Sequence, residues 1–299
     1  VIRSSDDEES LRRKVRLATI LGTFQSTLTN FRYVSKEWKR NCDEERLLGV
    51  SLTGIMDNEL TANQSQDSKS KLPEVLNRLR NYVVEVNAEF ADKLNINRSA
   101  ATTCIKPSGT VSQLTNTASG IHTRWSKFYI RTVRADQKDP LCQMMIDAGF
   151  PHEKCKMNPS SVMVFSFPVK SPSNSITRNS LSAIEQLEVW RTYQQHWCEH
   201  NPSVTITVKE NEWLSVGAYV YENFDKICGV SFLPHTDHIY EQAPYQECDE
   251  DTYLKLLQKM PTEIDWSLLS NYEVQDHTVG AQSYACSGSS CEVVDLHTT

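Results

Sequence analysis

Two places in this sequence combine residue types and spacing that can do chemistry. Near the C-terminus, Cys286-Ser287-Gly288-Ser289-Ser290-Cys291 sets two thiols four small or flexible residues apart. Such a pair can close into a disulfide, exchange with other thiols and, on a chain end with little to tie it down, reach a distant site. The same spacing also fits a plain disulfide or one half of a zinc site, although His297 supplies no second ligand pair at zinc-like spacing. The other place is Lys106-Pro107-Ser108-Gly109-Thr110-Val111-Ser112-Gln113-Leu114, directly after the apolar-tending run from Thr102 to Ile105. Pro107 ends an extended segment, Gly109 permits a tight backbone path, and Ser108, Thr110 and Ser112 set hydroxyls beside amides freed at a helix start. Such a turn can grip a phosphate or ribose oxygen, or can serve only as a turn. It is not a P-loop, because the G-x4-G-K-[ST] spacing is missing.

The remaining polar candidates are more isolated. His122 can touch a ligand or cap a loop, and lone histidines are more often structural. Arg131 and Arg134, three apart on a strand, face opposite sides and do not form a shared phosphate clamp. His196 and His200 lie one helical turn apart beside Glu199, with no third ligand in sight, and read as a solvated helix face. His235-Thr236-Asp237-His238 reads as a polar loop, and no metal site is expected.

Composition narrows the class. The chain has 299 residues, 39% hydrophobic and 23% charged, with a formal net charge of -7. That length supports a sizeable core, and that charge argues against a nucleic acid as the main partner. No run approaches the roughly 18 apolar residues of a membrane span, and the start carries no signal-peptide pattern. Seven of the nine cysteines are scattered without repeated spacing, which suits a reduced, intracellular setting in the cytoplasm or a plastid. The first residue is Val1, so the chain reads as the later part of a longer polypeptide.

The elements that must position these residues follow from periodicity. Leu11, Val15, Ala18, Leu21, Phe24, Leu28 and Phe31 predict one helix, a second is predicted over about 35–59 with breaks at Gly49 and Gly54, and Leu76 to Leu94 predicts a third, entered through Pro73. Between the last two, Thr61 to Lys71 reads as an exposed loop. Beyond residue 100 come strands over 128–134, 161–167 and 203–208, with helices over 180–200 and 213–224. Strands alternating with helices imply an α/β fold with parallel pairing, either open or closed into a barrel. The expected organisation is a mainly helical part over 1–100, an α/β part carrying the turn over 101–275, and a flexible redox tail over 276–299.

Several separated segments also agree in order with a known family. Arg46 to Ile55, Lys106 to Leu114, Ser119-Gly120-Ile121-His122, Tyr129 to Arg134, Asp139-Pro140-Leu141 and the dithiol tail resemble the C-terminal half of adenosylcobalamin-dependent ribonucleotide reductases, closest to the monomeric ribonucleoside-triphosphate reductases. The resemblance implies part of a ten-stranded α/β barrel in which Pro107, Ser108, Gly109, Thr110 and Val111 help to hold the phosphates of a ribonucleoside triphosphate. It implies that Cys286 and Cys291 carry electrons from thioredoxin to an active-site disulfide, with adenosylcobalamin as cofactor and a deoxynucleotide as effector. In the family a thiyl radical removes the ribose 3′ hydrogen and a cysteine pair supplies electrons as the 2′ hydroxyl leaves as water.

The sequence departs from that pattern at the radical itself. The family's Asn-Pro-Cys-x-Glu motif is absent; Asn158-Pro159 and Asn201-Pro202 are each followed by Ser, and Cys42 sits in a charged helical run. The radical cysteine, its carboxylate, the buried pair and most cofactor contacts are therefore expected outside this chain, which alone would be inactive. In Gly229 to Pro234, Phe232 and Leu233 occupy the place of the tyrosine pair of diiron enzymes, which favours the cobalamin class. The rival readings are another reductase class and a non-catalytic module with a structural tail disulfide.

Overall fold

A computed structural model describes residues 1–235 and 240–273, together with the backbone of two short strands at 285–287 and 290–292. Along the first half of the chain lie α1 (Glu8–Gln25), α2 (Lys36–Glu45), β1 (Val50–Ser51), α3 (Gln66–Leu94), β2 (Thr103–Cys104), the single turn α4 (Val111–Leu114) and β3 (Phe128–Asp136). Then follow α5 (Pro140–Asp147), β4 (His152–Lys154), β5 (Val162–Lys170), α6 (Ala183–His196), β6 (Val204–Val208), α7 (Trp213–Glu222) and β7 (Val230–Pro234). The last are β8 (Tyr245–Glu247), α8 (Glu250–Leu257), α9 (Leu269–Tyr272), β9 (Ala285–Ser287) and β10 (Ser290–Glu292). No helix among the described residues is long and apolar enough to cross a membrane.

The chain packs as two units, one from Val1–Arg124 with Pro172–His235, the other from Trp125–Ser171 with the described residues after 239. In the first unit the strands pair in parallel, β1 with β2 and β6 with β7. Each pair is spanned by a crossover, α3 between β1 and β2 and α7 between β6 and β7, as parallel neighbours require. The alternation in β6 is regular: Val204, Ile206 and Val208 are buried while Thr205 and Thr207 are half-buried. Against this core α6 lays Leu187, Trp190 and Tyr193, with Trp197 just past its end, and the polar tips of the three aromatics find acceptors. Trp190 Nε1 donates to Pro202 O (3.3 Å), Trp197 Nε1 to Cys104 O (2.9 Å) and Tyr193 Oη to Thr61 O (2.7 Å).

The second unit corrects the expectation of parallel pairing beyond residue 100. Its sheet runs β4-β5-β3-β8 with every neighbour antiparallel, and β3 meets β5 over nine residues from Phe128↔Lys170 to Asp136↔Val162. The reason is connection length: β4 and β5 are joined by seven residues, too few for a parallel crossover. Cys142, Phe150, Met163 and Phe165 form its core. Among the described residues the strands form this sheet and three two-stranded pairs, without closing into a barrel.

The helices differ from the sequence expectation in instructive ways. α1 begins at an Asp7 capping box but turns inward on Leu11, Val15, Thr19 and Thr23 rather than on the full apolar stripe. Thr19 and Thr23 can be buried because each hydroxyl donates four residues back, to Val15 O and Thr19 O. Leu21, Phe24 and Leu28 are left 69%, 48% and 72% exposed. The second predicted helix stops at Glu45, where Arg46 turns left-handed (φ 46°), and at Gly54 (φ 84°) a Cβ would collide with Ile2 O. The predicted loop at 61–71 is buried at its start, with Thr61, Ala62 and Asn63 inside, and α3 starts at Gln66 under a Ser65 cap, placing Pro73 inside the helix. Thr61 tolerates burial because its hydroxyl donates to Ile55 O (2.7 Å).

Candidate functional site

The Pro107–Val111 turn leaves β2 and stands above a second loop, residues 117–122, that acts as its platform. Lys106, Pro107, Gly109, Thr110 and Val111 are exposed and Ser108 is half-buried. Beneath them Thr117, Ala118, Gly120 and Ile121 are buried. Ser119 joins the two layers, its hydroxyl accepting from Ser108 N (2.8 Å) and donating to Ser108 O (3.0 Å). Gly120 has φ 55°, and a Cβ there would come within 2.8 Å of Lys106 O, so the two backbones touch only because this residue is glycine. Ser108 then caps α4: its hydroxyl accepts from Ser112 N (2.9 Å), and the Ser112 hydroxyl donates to Ser108 O. Thr110 makes no side-chain cap, and no atom within 4 Å would meet a Cβ at Gly109. The exposed turn thus presents hydroxyl and amide groups on a firmly bonded base.

The platform is tied to the strands around it. Thr53 Oγ1 donates to Ala118 O (3.0 Å) and accepts from Gly120 N (2.9 Å), while Ser51 Oγ accepts from Lys106 N (3.0 Å). Lys106 Nζ donates to Asn201 O (2.6 Å) and Ser203 Oγ (3.0 Å). Below lies a pair that the sequence reading missed, Asp57 and Arg124, with both side chains 2% exposed. Arg124 Nε and Nη2 each donate to Asp57 at 2.8 Å, and Asp57 also accepts from Ala118 N and Ser175 Oγ. The one signal in the sequence is an acid among apolar neighbours, Ile55-Met56-Asp57.

His122 acts structurally. Its Nε2 accepts from Thr205 N (3.0 Å), which leaves Nδ1–H to donate to Ser119 O (3.0 Å), and burial lowers its pKa below the ordinary histidine value. His200 Nε2 donates to Leu48 O and His196 Nδ1 meets the Asn77 amide, so these two face different partners. Arg131 Nη1 donates to Pro244 O with its guanidinium over the Tyr245 ring, and Arg134 Nη2 donates to Gln242 O. Phe232 packs against the core of the first unit, whereas Leu233 is 38% exposed.

Cys286 and Cys291 are register partners in the antiparallel β9–β10 ladder. Their side chains, like His238 and the rest of the expected tail, lie outside the described residues. A cleft of about 850 Å3 opens between α1, α2 and β1, lined by Leu21, Leu28, Phe31, Trp38, Cys42 and Leu47 among others.

No protein-family profile matches the chain. Among curated proteins it is 30% identical over 216 residues to a probable adenosylcobalamin-dependent ribonucleoside-triphosphate reductase of Dictyostelium discoideum, covering 70% of this chain and 27% of that protein. It is 27% identical over 248 residues to the corresponding reductase of Euglena gracilis, covering 82% of this chain and 33% of that protein. The chain is a homologue of the adenosylcobalamin-dependent ribonucleoside-triphosphate reductases. A solved B-12 dependent (class II) ribonucleotide reductase superposes with a TM-score of 0.73 at 21% identity, over 89% of this chain and 40% of that one, and so shares its fold. The chain spans about a third of the length of the curated reductases it matches. Three of the reductase-like segments meet at one place in the first unit: Arg46 to Ile55 supplies Ser51 and Thr53, Lys106 to Leu114 is the turn, and Ser119 to His122 is its platform. Asn201-Pro202-Ser203 is a bracket beside them, with Asn201 Oδ1 accepting from Gly229 N (3.1 Å).

Proposed function

We propose that this chain is the C-terminal portion of an adenosylcobalamin-dependent ribonucleoside-triphosphate reductase, which converts ribonucleotides to 2′-deoxyribonucleotides by a thiyl-radical route. The observation that carries this reading is the meeting of the three reductase-like segments at the Pro107–Val111 turn. The chain would supply part of a ten-stranded α/β barrel. Its open turn, with the hydroxyls of Ser108 and Thr110 and the amides around Gly109, would hold the substrate's phosphates while Ser119 and Gly120 fix its height. The apolar cleft between α1 and α2 suits a surface that the remainder of such a barrel would cover.

Adenosylcobalamin brings its cobalt already held by the corrin ring, so the protein need supply no cluster of metal ligands. Among the described residues no group of three or more His, Cys, Asp or Glu could hold a metal ion, and His122, His152, His196, His200 and His235 each have a protein partner at a ring nitrogen. By the resemblance alone, we place most of the cofactor contacts on the portion of the reductase that this chain does not span. At the tail, Cys286 and Cys291 would act by thiol–disulfide exchange. Reduction replaces the substrate's 2′ hydroxyl, lost as water, with hydrogen, and oxidises a cysteine pair to a disulfide. The tail dithiol reduces that disulfide and becomes one itself, and thioredoxin restores it. A deoxynucleotide effector and a monomeric complete enzyme belong to the same proposal.

The test is complementation. The chain is combined with the portion of the Euglena gracilis reductase that it does not span, adenosylcobalamin, a ribonucleoside triphosphate and thioredoxin. Wild type is expected to turn over repeatedly, whereas Cys286→Ser and Cys291→Ser stop after about one turnover unless a small dithiol is added. Repeated turnover by both variants with thioredoxin as sole reductant would overturn the relay. Absence of deoxynucleotide from wild type with either reductant would overturn the enzyme reading.

A further inference from the structure

The buried Asp57–Arg124 pair touches no open surface, so it cannot meet a ligand, yet it is densely hydrogen-bonded. Asp57 takes four donors: Arg124 Nε and Nη2, Ala118 N (2.9 Å) and Ser175 Oγ (2.8 Å). Arg124 also holds Asn116, donating from Nη1 to Oδ1 (2.9 Å) and from Nη2 to the carbonyl oxygen (2.7 Å). Both ends of the pair therefore grip the backbone or side chains of residues 116–118. Residue 119 follows at once, and its hydroxyl holds Ser108 at both N and O.

We infer that Asp57 and Arg124 are positioning residues for the Pro107–Val111 turn, acting through Ala118 and Ser119 on Ser108. A buried ion pair is poor evidence for added stability, because desolvation offsets much of its attraction. Its geometric content is large: a bidentate fork with further fixed partners permits one placement of the 116–119 backbone. That backbone in turn sets where the Ser108 and Ser112 amides stand. The chain of contacts uses residues far apart in sequence, 57 against 118 and 119 against 108, so a local turn preference does not supply it. In its consequence for nucleotide binding this inference rests on the phosphate reading given above.

Hydrogen exchange on the whole chain tests the inference without any nucleotide. Asp57→Asn and Arg124→Lys each break the fork while nearly conserving volume. Both are expected to raise exchange of the Ser108 and Ser112 amides at least tenfold over any change in α3 and β6. Ser119→Ala leaves the pair intact and is expected to raise exchange at Ser108 alone, with the melting temperature unchanged, while Ser119→Thr restores protection. A uniform rise across the first unit in the two pair variants means that the pair is only structural and overturns the inference. Unchanged Ser108 exchange in Ser119→Ala also overturns it. Titration with ATP then separates the two claims. If the turn holds phosphate, ATP protects residues 106–114 in wild type and binds about tenfold more weakly in Ser119→Ala. If ATP protects nothing in wild type, the phosphate reading fails while the positioning claim is decided by the unliganded exchange.

Discussion

Replacing His122 with Gln should remove a defined part of the protein's acid sensitivity. In the fold Nε2 accepts the Thr205 amide and Nδ1–H donates to Ser119 O, an arrangement open only to the neutral ring. Burial accordingly depresses the folded pKa below the unfolded one. The unfolded chain then binds more protons than the folded chain in the window between those two values. Stability from this group is complete above the unfolded value, roughly 6.5, and is lost as pH falls toward the folded value. Protonation turns Nε2 into a donor facing another donor, and a buried group deprived of its partner costs about 1–3 kcal/mol. That corresponds to a fall of several degrees in melting temperature for a unit of this size, at about 2–4 °C per kcal/mol. Burial also lowers the pKa of His196, with a further contribution from Arg80, so the assay is a difference. Melting curves of wild type and His122→Gln, taken from pH 8 to pH 5, are subtracted so that His196 and the carboxylates cancel. The wild-type curve should fall away from the variant's below about pH 6.5. Parallel curves across the range would refute the assigned tautomer and the bond to Thr205.

Arg124→Met leaves the Asp57 carboxylate buried without its cation and should destabilise the first unit by about 3–5 kcal/mol, measured by urea titration followed at the buried tryptophans Trp190 and Trp197. Gly120→Ala forces a Cβ to 2.8 Å from Lys106 O at φ 55° and should cost about 1–3 kcal/mol. Gly109→Ala meets nothing within 4 Å and should stay within about 0.5 kcal/mol of wild type; equal losses at the two glycines would contradict the layered turn. Leu187→Ala removes a fully buried side chain of α6 and should cost about 2–5 kcal/mol in the same titration.

Legibility in the sequence followed the range of the interaction. The turn after β2 could be read because Pro107, Ser108 and Gly109 punctuate the chain locally, and β6 and α6 could be read because alternation and amphipathic spacing are properties of short windows. The platform beneath the turn could not, since the Asp57–Arg124 pair joins residues 67 positions apart. Thr19, Thr23 and Thr61 hid buried surface behind polar letters, because their hydroxyls are satisfied by nearby carbonyls. That concealment gave α1 the wrong inner face and made the buried Thr61 to Asn63 look like an exposed loop. Strand direction in the second unit was invisible for another reason: periodicity marks a strand but does not say which way its neighbour runs.

The apolar trough beside α1 also governs how the isolated polypeptide will behave in the test tube. Leu21, Leu28 and Trp38 are 69%, 72% and 60% exposed, and attraction between such greasy patches strengthens on warming and weakens on chilling. Concentrated samples should therefore cloud as they are heated and clear again on ice, provided the heating stops short of unfolding.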